Sequence, residues 1–91
     1  MLRTAAVIPA FNEGRTLPSL IERVRPHVHG IYVIDDGSTD DTARVDADVI
    51  RHGRNRGKGE ALRTGFAAAI AAGFEAVVTL DGDGPHDPAA V

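Results

Sequence analysis

An α/β fold, a parallel sheet with helices on both faces, is what three features of this sequence predict. Short apolar runs of strand length alternate with stretches of helical periodicity. The connections between them are short, as in chains that alternate strand and helix. Each apolar run also empties into a polar cluster: "PAFNE", "DDGS", "RNRGKG" and "DGDG" in turn. A chain of 91 residues holds one domain at most.

The elements follow in order. "TAAVIP" (Thr4 to Pro9) is an apolar run suited to a strand buried on both faces. Beyond the turn "AFNEGR", Leu17, Leu20, Ile21, Val24 and Val28 recur at helical spacing, with Pro18 tolerable in the first turn and Pro26 ending or kinking the helix. "GIYVIDDGS" is a second strand opening into a turn. "STDDTARV" has cap residues (Ser38, Asp40) and early acids that suit the start of a short second helix. "DVIRH" is a brief third strand, and "GRNRGKGEALRTGFAAAIAAG" is a Gly and Arg loop leading into an Ala-rich helix that Gly73 stops. "EAVVTLD" is the fourth strand. Right-handed crossovers between these strands make a Rossmann-like half, with every polar cluster on the carboxyl edge where ligands bind in open α/β sheets.

Composition narrows the function classes. The apolar fraction of 43% is globular, and the absence of cysteine removes disulfide frameworks and thiolate metal sites. A net charge of -3 gives no reason to expect a nucleic-acid partner. Met1 leads directly into a strand-like segment, without the pattern of a signal peptide. The most apolar stretch, Phe66 to Leu80, is broken by Gly73 and Glu75 and does not read as a membrane span.

Four clusters carry the chemistry. Asp81 and Asp83 lie two apart at a strand end, so both side chains point one way. Such a pair suits a hard divalent cation that also binds substrate phosphates, or else a solvated Asp-Gly turn. A calcium EF-hand loop is excluded, because it needs an acid or amide where Pro85 stands. Asp35 and Asp36 are adjacent and face opposite ways, so only one of them enters a site, and Asp36 is either a ligand contact or a turn residue. The loop holding Arg54, Arg56 and Lys58 precedes a helix and suits an anion, or balances the nearby acids. It is no Walker A loop, which would need Gly at His52 and Ser or Thr at Gly59, and a dinucleotide fingerprint on Gly57 and Gly59 fails at Leu62. Phe11 either covers a flat ring or plugs the base of the following helix, and Glu13 either accepts from ribose hydroxyls or caps that helix. The histidines show no metal spacing, and only His86, beside the carboxylates, stands near a site.

In this order the blocks "VIPAFNEGRTL", "VIDDGSTDDT", "NRGKGEALRTG" and "LDGDGPHDP" resemble the family 2 inverting glycosyltransferases, with the GT-A nucleotide-sugar-binding fold. The likeness covers nearly the whole chain and is strongest to the dolichyl- or polyprenyl-phosphate mannose synthase and glucosyltransferase branch. It implies that Pro9, Phe11 and Glu13 line a nucleoside pocket, that Ile34 and Asp36 frame the base, and that Lys58 meets the anion. It implies Asp81, Gly82 and Asp83 at the ribose and diphosphate. Asp83 becomes the principal ligand of Mn2+ or Mg2+, with Asp81 assisting. The expected strand order is 3-2-1-4, which brings Phe11 and Glu13 beside Asp81 and Asp83 at the switch point.

The implied donor is a nucleotide-diphospho-sugar of GDP-mannose or UDP-glucose type, and the implied acceptor a polyprenyl or dolichyl phosphate. The implied location is the cytoplasm, peripheral at the inner face of the membrane. Pro85 departs from the amide common in that branch and cannot reach a metal. Residues 1–91 are expected to be the donor-binding part of the domain, with the general base and acceptor half beyond Val91. Either that half or self-association is expected to cover Val77, Val78 and Leu80 of the fourth strand. A non-catalytic nucleotide-sugar-binding module acting with another chain is the alternative. An oxidoreductase half is disfavoured, because no Gly fingerprint follows the first strand.

Overall fold

The structure, a computed structural model, describes residues 2–82. The elements are β1 (Thr4–Ala10), α1 (Leu17–Val24), β2 (Gly30–Asp35), β3 (Asp48–Arg51), α2 (Lys58–Ala71) and β4 (Ala76–Thr79). All pairings are parallel and the sheet runs β3-β2-β1-β4, the order expected.

β1 lies inside the sheet, between β2 and β4, and is apolar from Ala5 to Ala10. Ala5, Ala6, Val7 and Ile8 are fully buried. Alternate side chains serve alternate faces. Ala6, Ile8 and Ala10 pack with Leu17, Leu20 and Ile21 of α1 on one face, while Val7 packs with Ile34 and Ala61 of α2 on the other. Helices therefore cover both faces. Each fully buried Ile, Leu or Val side chain contributes about 1.5–3 kcal/mol.

α1 uses an i, i+3, i+4 set of apolar residues and ends at Val24, with Pro26 inside the one-turn 3-10 helix Arg25–His27 that follows. α2 presents Ala61, Gly65 and Ala69, one residue per turn, to the sheet. A Cβ on Gly65 would lie 2.2 Å from Cγ1 of Val7, so the helix approaches as closely as it does only because no side chain intervenes.

The segment after β2 is not the α-helix its composition suggests. Asp41–Arg44 makes a single 3-10 turn, capped by the Asp40 carboxylate accepting from the Thr42 N–H, and Val45 is already extended. Four residues between cap and extended chain are too few to recover the cost of starting an α-helix. At the amino end of the sheet, Phe74 stands edge-on to Tyr32 with 6.0 Å between centroids, and the Arg3 guanidinium lies 4.9 Å above its ring. These contacts tie the start of β4 to β2 at the end of the sheet opposite the polar clusters.

Replacing a helical glycine by alanine ordinarily stabilises a helix by about 1 kcal/mol. Gly65→Ala should instead destabilise this chain by about 1–3 kcal/mol, because Val7 has no room to move. Urea unfolding decides it, and an alanine variant as stable as the parent contradicts the packing described.

Candidate functional site

On the α2 face of β2 and β3, the apolar rung formed by Ile34 and Ile50 gives way one rung later to Asp36 and His52. Both are buried, at 4% and 7% exposure. Oδ1 of Asp36 accepts from the Arg56 N–H at 2.9 Å and pairs with Nδ1 of His52 at 2.8 Å, while Oδ2 accepts from the Gly57 N–H at 2.8 Å. One carboxylate thus holds the basic loop and the N-cap of α2 against the end of β2. Burial acts to raise the Asp36 pKa, but the Arg56 N–H, the His52 ring and the Gly57 N–H outweigh it and hold the carboxyl below its ordinary 3.8. Asp35, facing the other way, accepts from the Ser38 N–H at 2.9 Å and lies 3.8 Å from Nε of Arg51.

The two loops after β1 and β2 are joined by side-chain hydrogen bonds, among them four from backbone N–H groups. The Asn12 N–H donates to Oγ of Ser38 (2.8 Å), the Thr39 N–H to Oδ1 of Asn12 (2.8 Å), the Glu13 N–H to Oγ1 of Thr42 (2.9 Å) and the Gly14 N–H to Oδ2 of Asp40 (3.0 Å). Asn12 takes a φ of 53°, the left-handed conformation that asparagine tolerates better than most residues. The Thr42 hydroxyl and N–H and the Gly14 N–H keep the Asp40 carboxyl below its ordinary range. Fixed in this way, Phe11 and Glu13 project over the end of β1.

Between these loops and α2 lies a cleft of about 320 Å3. Phe11, Glu13 and Pro9 form one wall, Asp36, Asn55, Gly57 and Lys58 another, and Asp81 and Gly82 the third. Nζ of Lys58 and Oδ1 of Asp81 meet at 2.5 Å across the mouth. Gly82 donates its N–H to the Pro9 carbonyl at 3.2 Å, and its own carbonyl accepts from the Thr16 hydroxyl at 3.0 Å. A Cβ on Gly82 would come within 2.9 Å of that Pro9 carbonyl oxygen and of the Ala10 Cβ, so only glycine lets the chain after β4 lie this close to β1.

Of the residues singled out in the sequence, the structure brings Pro9, Phe11, Glu13, Asp36, Lys58, Asp81 and Gly82 to this one cleft. Ile34 is not among its lining residues: it is fully buried beneath α2, because the strand alternation that aims Asp36 at the loop puts Ile34 one rung deeper in the core. Asp83, His86 and Pro85 lie outside the described residues. Phe11 is 44% exposed and lines the cleft rather than plugging α1. Glu13 does not cap α1 through its side chain, whose Oε1 accepts weakly from the Phe11 N–H at 3.4 Å. Ser38 caps no helix, since its hydroxyl receives the Asn12 N–H.

The sequence offered no sign of Thr16 or Thr64, nor of His52 as part of the site. His52 might have been flagged by its place one residue beyond a strand, opposite Asp36. Among the described residues no three His, Asp or Glu side chains are grouped to hold a metal ion, and no helix is long and apolar enough to cross a membrane.

Comparison with known proteins gives a consistent picture. The family model described as glycosyl transferase family 2 matches residues 5–91. The polyprenol monophosphomannose synthase of Mycolicibacterium smegmatis is 37% identical over 94% of this chain and 37% of its own length. The undecaprenyl-phosphate mannosyltransferase of Micrococcus luteus is 33% identical over 96% of this chain and 40% of its own. Among solved structures, glucosyl-3-phosphoglycerate synthase from Mycobacterium tuberculosis in complex with Mn2+, UDP and glucosyl-3-phosphoglycerate superposes with a TM-score of 0.71 at 31% identity, covering 89% of this chain and 33% of that one. The chain therefore spans well under half the length of the relatives it matches.

The lowered pKa of Asp36 has a definite sign. Its contribution to stability is full above the unfolded value near 3.8 and is lost as the pH falls through the lower folded value. Asp36→Asn should cost about 1.5–3 kcal/mol at neutral pH, by turning an amide toward backbone N–H groups that need an acceptor. It should also flatten the acid limb of stability. Urea unfolding at a series of pH values tests both, and an unchanged acid limb in the variant refutes the assignment.

Proposed function

We propose a donor-binding role from one premise: the chain belongs to glycosyl transferase family 2. The cleft at the carboxyl edge of the sheet takes the nucleoside diphosphate of a nucleotide-diphospho-sugar. The observation that carries this reading is the convergence of an aromatic wall, a buried carboxylate, a lysine and an acidic strand end on one cleft. Phe11 supplies a flat apolar face for a base. Asp36 offers a carboxylate to base or ribose donors, and Glu13 an acceptor for hydroxyls. Lys58, at the amino end of α2, sits where lysine charge and helix dipole both favour phosphate.

A divalent cation at the same place is supported by Asp81, a 61% exposed carboxylate offering oxygen donors of the hard kind that Mn2+ and Mg2+ prefer. We assign Asp83 as its principal ligand and Asp81 as the second. When bound, such an ion neutralises charge on the departing diphosphate. Asp81 is paired with Lys58, so these two charges offset one another at the mouth. The names of the relatives, which act on polyprenyl or undecaprenyl phosphates, support a sugar transferase with a lipid-phosphate acceptor in the whole protein. That acceptor supports peripheral attachment at the inner face of the membrane. Transfer with inversion is attack by the acceptor oxygen on the anomeric carbon as its bond to the diphosphate oxygen breaks, the acceptor proton going to a general base that we place beyond Val91.

β4 pairs only with β1 among the described residues, and Val78 beside that edge is 43% exposed. The greater length of the relatives supports further chain as its cover, rather than a second copy. The second reading, a non-catalytic binding module, shares this cleft and differs only in lacking the acceptor half.

Two measurements test the proposal. A thermal-shift panel of GDP- and UDP-sugars, with and without Mn2+, should show metal-dependent stabilisation by one nucleotide class. In a Mn2+ titration with that nucleoside diphosphate, Asp83→Asn should abolish metal-dependent binding with the fold intact, Asp81→Asn should weaken it less, and Asp87→Asn should do little. Equal losses at all three positions point to a diffuse acidic patch instead. Unchanged binding in Asp83→Asn removes the metal assignment.

A further inference from the structure

We infer that His52 is a positioning residue for nucleobase recognition: with Thr64 it fixes the rotation of the Asp36 carboxylate, so that one chosen oxygen faces the cleft. This rests on the reading that the cleft binds a nucleoside diphosphate. His52 reaches no lining position itself and acts only through Asp36.

The hydrogen-bond inventory determines the arrangement. A neutral imidazole has one donor and one acceptor nitrogen, and an ionised carboxylate only accepts. Nδ1 of His52 lies 2.8 Å from Oδ1 of Asp36, so Nδ1 carries the proton and donates it. Nε2 is then the acceptor, and the Thr64 hydroxyl 2.8 Å away donates to it. Thr64 stands in the second turn of α2, so the tautomer is set by a helix that is itself packed on the sheet. Oδ1 of Asp36 is filled by His52 and the Arg56 N–H. Among the described residues Oδ2 takes only the Gly57 N–H, which leaves it one acceptor site, and Asp36 lines the cleft. Of the donors a nucleoside diphosphate carries, the one assigned to this outward acceptor is an N–H on the edge of the base, the group that differs between nucleotide classes where the ribose hydroxyls do not.

An exposed carboxylate would rotate among donors. Here rotation would break a bond to a ring that is 7% exposed and already used at both nitrogens. Selectivity for the base is thereby built two residues away from the ligand, in a rung of the sheet that also carries the core.

The test compares His52→Asn with His52→Gln in the whole chain. An asparagine amide nitrogen overlays Nδ1 and keeps the bond to Asp36; a glutamine amide overlays Nε2 and keeps only Thr64. The probes are UDP, GDP and inorganic pyrophosphate, titrated with Mn2+ present. His52→Asn should bind the preferred nucleotide within about threefold of wild type, and His52→Gln about tenfold more weakly, the scale of one charge-assisted hydrogen bond. Pyrophosphate affinity should stay within about twofold in both, since the Arg56 and Gly57 N–H bonds to Asp36 that position Lys58 are kept. Imidazole nitrogen NMR of the wild type should show a protonated Nδ1. Wild-type binding with equal losses in both variants, or a matching loss for pyrophosphate, or a protonated Nε2, overturns this inference alone. Failure of the wild type to bind either nucleotide overturns the donor-binding reading together with it.

Discussion

A carboxylate buried at the end of a strand is costly unless every nearby donor is turned toward it, and Asp36 meets that condition with three. Because two of those donors are the backbone N–H groups of Arg56 and Gly57, the loop after β3 has little freedom to lie elsewhere. Gly57 is the N-cap of α2, so the direction of the helix and the position of Lys58 follow from the same carboxylate. Placing one negative group correctly therefore organises a wall of the cleft.

The opposite wall is organised by hydroxyls and amides rather than by charge. Ser38, Thr42, Asn12 and Asp40 join the first two loops through side-chain to backbone bonds, each replacing a water that a loop of this kind would otherwise need. This explains why the stretch after β2 is dense in short polar residues, although it makes only one turn of helix. Its job is to hold Phe11 and Glu13. The third wall depends on the carbonyl of Pro9, which the Gly82 N–H reaches only because neither partner has bulk at the contact. β1 is thus both the centre of the core and the reference for the site.

The charges at the mouth are held loosely. Lys58 and Asp81 are both more than half exposed, so their pairing is worth little as stability. The same exposure lets either group turn to a better partner at small cost. A buried pair would not exchange so readily.

The sequence by itself determined what is local. Strand length, apolar runs and helical spacing read out as β1 to β4, α1 and α2, since periodicity needs only neighbours a few residues away. Alternation likewise separated Asp35 from Asp36, and the polar clusters marked the carboxyl edge. Tertiary structure decided what depends on partners far along the chain. His52 reads as an unremarkable histidine until the sheet sets it beside Asp36, 16 residues away, and α2 brings Thr64 over it. Thr16 acquires a role only when Gly82, 66 residues away, arrives at β1. Ile34, close to Asp36 in sequence, is carried into the core by the same alternation that exposes its neighbour-but-one to the cleft. Short-range patterns fix which face a residue takes, and only the packed sheet fixes which residues meet there.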